Sequence, residues 1–260
     1  MISLNSAEIN TWIVAFFFPL ARILALLVVA PPFNNGALST QVRLMLGLAI
    51  AIAITPALPA IPSLEPASGI GLWVLAQQLL IGFAMGFSMR LIFAAIDLAG
   101  SLIAMQMGLG FATFYSPQSA AQTPVISELI GMLALLVFMA FNGHLMVIAT
   151  LTHSFTVIPI SAVAPGSGTW LNLANAGIVI FSSGLLLALP ILVALLITNA
   201  ALGVLSRAAP QLNLFAVGFP LTLALGFAML IISMSYLGAP LQQLFEHGLQ
   251  SMLGHFVAGH

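Results

Sequence analysis

A chain of 260 residues that is 62% hydrophobic and 3% charged cannot cover itself with polar surface, since soluble domains carry about 25% charged residues. Its four bases and five acids leave a net charge of −1, without the clustered Lys and Arg that nucleic-acid phosphates require. Cysteine is absent, which removes disulfides, thiol nucleophiles and thiolate metal sites. The composition predicts an all-α integral membrane protein.

Apolar runs near twenty residues suffice to cross a ~30 Å hydrocarbon core. They predict six segments, at roughly 11–30, 43–62, 70–105, 126–151, 174–205 and 214–238. The first fifteen residues contain no base, and the first run continues to Ala30 through Pro19 and Arg22. It reads as a retained segment rather than a cleaved signal. Turn chemistry separates the runs: Pro31 to Gly36, the proline-rich stretch from Pro56 to Pro66, Gly108 to Pro124, Pro159 to Gly168, and Ala208 to Gln211. The tail from Gln242 to His260 is the mildly polar part, expected as a short amphipathic or frayed end.

The third run is overlong, because about 36 helical residues reach roughly 54 Å. Either it breaks, near Gly82 to Gly86 or at Gly100, or the protein rises beyond the bilayer. Gly82 and Gly86 form a GxxxG, followed by Gly100, Ala104 and Gly108 at the same spacing. Such ladders allow close helix approach, within the chain or between subunits. Arg43 and Arg207 flank loops on one side of six spans, with Glu8, Glu65 and Glu246 on the other. The positive-inside rule therefore makes the arginine loops cytoplasmic and both termini external.

Charges inside apolar runs are the first candidates for function, each costing roughly 2.5–3.5 kcal/mol at mid-bilayer. Arg90 and Asp97 lie two turns apart on one helix. They read either as a structural ion pair or contacts to partner subunits or, with Glu128, as a transporter's coupling-ion site. Arg22 and Glu128 lie where snorkelling or a partner face would suffice. The five histidines form no HExxH or comparable ligand pair, and no P-loop or GxSxG elbow is present. Neither enzyme chemistry nor a cofactor or metal is expected.

The stretch from Met105 to Gln118 joins Met105, Met107, Gly108, Gly110, Phe111, Phe114, Tyr115 and Pro117 in a segment too irregular to span as helix. Irregular backbone at membrane depth survives only inside protein or along a cavity, where Met and Phe can seal a pore and deform. An extramembrane loop with aromatics at the interface is the alternative.

Here the chain resembles the FliR family, the flagellar type III export-gate component, known as SctT in virulence secretion systems. Two segments carry the resemblance: Gln106 to Gln118, QMGLGFATFYSPQ, and Ser206 to Pro220, SRAAPQLNLFAVGFP. Length, six apolar runs and a PxF after the first run agree with it. The resemblance implies one membrane domain over 1–260, with a FliP-like part at 1–170 and a FliQ-like hairpin and tail at 171–260. It further implies that the loop at 106–124 plugs a closed pore. Arg207, Pro210, Gln211 and Asn213 would form a cytoplasmic tip meeting an FlhB-like switch subunit. Implied partners are FliP-like and FliQ-like subunits, unfolded export substrates and the lipid bilayer, in the bacterial inner membrane at the flagellar basal body. A secondary transporter or a passive scaffold are the rival readings.

Overall fold

Helix boundaries fall where the sequence supplies caps. Ser39 Oγ accepts from Val42 N, and Ser68 Oγ accepts from Gly71 N at 3.0 Å; each satisfies one orphan N–H of the helix it precedes. The computed structural model describes residues 6–34, 38–59, 65, 66, 68–110, 124–209 and 214–257. Among these lie α1 (Ser6–Val29), α2 (Thr40–Ile54), α3 (Gly69–Gln106), α4 (Val125–Ala140), α5 (Gly143–Val157), α6 (Ser167–Asn175), α7 (Ile178–Ala208) and α8 (Leu214–Val257).

Among the described residues four helical stretches are long and apolar enough to cross a membrane: Thr40–Ala57, Gly69–Gln106, Ser167–Ala208 and Val217–Phe256. The bent pair α4 and α5 makes a fifth, and Phe16–Val29 of α1 is a shorter apolar helix. The protein is thus an all-α, multi-pass membrane protein.

Three expectations meet the structure differently. The third run does not break: α3 is one helix of 38 residues, about 57 Å long at 1.5 Å per residue. The fourth run does break, at Asn142, whose φ of 55° is left-handed, and α4 and α5 meet at a 67° bend. Asn tolerates that conformation better than other side-chain-bearing residues. Finally, of the two expectations for the tail the frayed end fails and the amphipathic one agrees with the structure, since α8 continues to Val257. Its buried residues Leu241, Phe245, Leu249, Met252 and Phe256 recur every three or four positions, which is one face of a helix.

The helices fall into two compact units: Met1–Leu91, Asn142–Ala176 and Glu246–His260 in the first, Ile92–Phe141 and Gly177–Phe245 in the second. In the first, α1 packs on α3 through the GxxxG. A Cβ on Gly82 would strike the carbonyl of Arg22, and one on Gly86 would lie 2.9 Å from both Leu26 O and Val29 Cβ. Lipid tails are as apolar as the helices, so this close approach replaces the hydrophobic drive of soluble folds. The ladder therefore serves packing within the chain here. In the second unit, Phe93, Phe138 and Phe245 form an aromatic triangle with centroids 5.0–6.0 Å apart, in the edge-on and tilted geometries aromatic quadrupoles favour. Gly100 faces the backbone of Ser127 on α4, and Ser127 Oγ donates to Asp97 O at 2.9 Å.

Candidate functional site

The first unit contains a buried polar cluster centred on Arg22. The side chain is 0% exposed. Its Nε donates to Gln78 Oε1 (2.9 Å), Nη1 to Ser154 O (3.1 Å) and Ser154 Oγ (3.0 Å), and Nη2 to Ile158 O (2.9 Å). Two of these acceptors are carbonyls at the C-terminal end of α5, where the helix dipole is negative; Ser154 O also accepts from Ile158 N at 2.8 Å. Beside them, the Gln77 amide with its oxygen toward Trp73 Nε1 (2.7 Å) donates to Ser161 O at 3.1 Å. The cluster thus ties α1, α3, the end of α5 and the segment after it. Snorkelling, the expectation for Arg22, is overturned: the guanidinium finds enough acceptors inside the protein to stay there.

The candidate gate segment begins at the end of α3, in the second unit. Gly108 has φ 85° and terminates the helix, with Gly108 N donating to Met105 O and Leu109 N to Ala104 O, each at 3.0 Å. That pattern is a Schellman cap, which requires a left-handed residue and so favours glycine. Gly108 therefore acts as a fixed helix stop at the root of the loop. The two methionines here differ: Met105 is 69% exposed, whereas Met107 is 0% exposed and packs on Gly226 of α8. Gly110 is half-buried. Phe111, Phe114, Tyr115 and Pro117 lie outside the described residues.

At the candidate tip, Arg207 is exposed in the last turn of α7, where a cation favours the negative helix end. Pro210, Gln211 and Asn213 lie outside the described residues. Arg90 and Asp97 are both exposed on α3, and Glu128 is exposed in the first turn of α4, a position a carboxylate favours. Among the described residues no ion pair joins Arg90 to Asp97, and no three His, Asp or Glu side chains gather as a metal site.

The residues that reasoning from sequence missed are Gln77, Gln78 and Ser154. The signal was present: two adjacent amides inside an apolar run, which a membrane helix does not carry without internal partners.

What these features define is a multi-pass helical membrane protein with a Met- and Gly-bearing loop root and helices longer than a bilayer. The family described as "Bacterial export proteins, family 1" matches residues 13–248. Similar proteins named "Flagellar biosynthetic protein FliR" include one from Pectobacterium carotovorum subsp. carotovorum, 46% identical over 230 residues and covering 88% of each chain. The Escherichia coli (strain K12) protein is 42% identical over 95% of this chain and 94% of its own length. That of Bacillus subtilis (strain 168) is 30% identical over 92% and 93%. The chain belongs to the FliR family of bacterial export proteins. It is accordingly a subunit of the flagellar export apparatus, with membrane-embedded export partners, and not an enzyme.

Proposed function

We propose that this chain is a gate subunit of the export channel, helping conduct unfolded flagellar proteins across the inner membrane at the basal body. The observation that carries the reading is helix length set against exposure. Only 22% of the apolar window in each of Ser167–Ala208 and Val217–Phe256 is buried, yet α7 alone has 31 residues, about 46 Å, and the 40-residue stretch Val217–Phe256 reaches roughly 60 Å, well beyond the ~30 Å of lipid tails. A bare apolar surface that tall needs protein cover as well as lipid. FliP-like and FliQ-like subunits fit that role, with residues 1–170 packing as the FliP-like part and 171–260 as the FliQ-like hairpin and tail.

In this reading the loop at 106–124 closes the pore as a deformable plug built on Met105, Phe111, Phe114 and Tyr115. The tip at Arg207 to Asn213 meets an FlhB-like switch subunit on the cytoplasmic side. A small-solute transporter would need its charges enclosed, whereas Arg90, Asp97 and Glu128 are exposed. Deleting residues 108–116 tests the plug: assembled gates lacking them should leak small ions and solutes, and unchanged permeability with the complex intact would sink the assignment.

A further inference from the structure

We propose that Thr222 and Gly226 of α8 form a socket that seats Met107 and so fixes where the gate loop leaves α3. The geometry stands on its own; its consequence for permeability rests on the gate reading above. Met107 is the last residue before the Gly108 stop, and its side chain is fully buried. A Cβ on Gly226 would lie 2.5 Å from Met107 Cγ, 2.7 Å from Cε and 2.8 Å from Sδ, so any side chain there forces the thioether to shift. The carbonyl of Met107 is one of those a helix end leaves without an intrahelical partner. Thr222 Oγ1 reaches it at 3.3 Å while also contacting Phe219 O at 3.0 Å. A flexible thioether in a glycine notch and one hydroxyl across the helix gap thus hold the loop root by side chain and backbone together. Movement of α8 along α3 at this level must drag the loop root or break the seat.

The chain has no cysteine, so Leu109→Cys gives it a single thiol two residues beyond the seat. Its maleimide labelling rate is read in membranes opened to both sides, from cells co-expressing the neighbouring export genes. Gly226→Val should speed labelling about tenfold, the response expected of overpacking at a filled notch. Met107→Ala alone, which empties the seat, should also speed labelling, and adding it to Gly226→Val should give no further rise. Thr222→Val should give a smaller rise. Gly238→Val, on the same helix where a Cβ meets nothing within 4 Å, serves as control. Should the Gly226→Val chain fail to accumulate, Gly226→Ala and Thr222→Val carry the same comparison. Labelling equal to that of the control, or an unchanged rate in Met107→Ala, overturns the socket. Faster labelling without solute leak keeps the socket and overturns the gate reading instead.

Discussion

The guanidinium of Arg22 lies 4.2 Å from the centroid of the Phe155 ring, while its nitrogens are taken up by Gln78, Ser154 and Ile158. A cation over an aromatic face gains from the ring quadrupole, more so away from water. Ring and carbonyls together let a charged residue sit in the core; among the described residues, none of its hydrogen-bond partners is a carboxylate.

Arg22→Ala should therefore destabilise the chain by about 3–5 kcal/mol, because it strands buried acceptors and opens a cavity. Arg22→Lys should fall between wild type and Ala, since one ammonium cannot reproduce the guanidinium fork. Thermal unfolding of the purified chain in detergent checks both; a Lys midpoint equal to that of the wild type would show that the fork contributes nothing.

The bend between α4 and α5 rests on a left-handed Asn142. Asn142→Gly should be close to neutral, whereas Asn142→Val should cost about 1–2 kcal/mol, the steric penalty of that conformation for a residue with a Cβ. The same unfolding assay reads the difference, and a Val variant as stable as Gly would contradict the assigned backbone.

Gly86→Val should lower stability by about 1–3 kcal/mol, because α1 already lies against that glycine. Gly254→Ala should stay within about 0.5 kcal/mol, as a Cβ there meets nothing within 4 Å. Protein level in membranes gives a first reading. If both accumulate normally, the α1–α3 approach is looser than described.

Arg207→Glu reverses the charge in the last turn of α7. Being exposed, the change should alter the chain's own stability by only about 0.3–1 kcal/mol through the helix dipole. A much larger drop in swimming-halo diameter at unchanged protein level would mark the tip as a partner contact. Normal motility would remove Arg207 from that surface.

Much of this architecture was legible in the apolar runs, because a membrane helix satisfies its own backbone and announces itself by length. The break at Asn142 was hidden, since Asn142-Gly143 interrupts the hydrophobicity of its run too briefly to read as a loop. The helical tail was readable from the spacing of Leu241, Phe245, Leu249, Met252 and Phe256, but scattered polar residues masked the stripe. The Met105 to Gly110 segment drew notice for its composition. That Met107 and Met105 face opposite surroundings depends on α8, more than a hundred residues away, and no local pattern encodes it.

The Arg22 cluster also imposes an order in time. Its acceptor Ser154 lies 132 positions further along the chain and Ile158 lies 136, so at ~5–20 residues per second the ribosome delivers them roughly 7–27 s after Arg22. Gln78, 56 positions on, comes sooner, but until the others arrive the remaining guanidinium nitrogens have water or headgroups for company, and α1 cannot settle at its final depth. A helix made early is thus among the last to be locked in place, and the end of α5 turns the key.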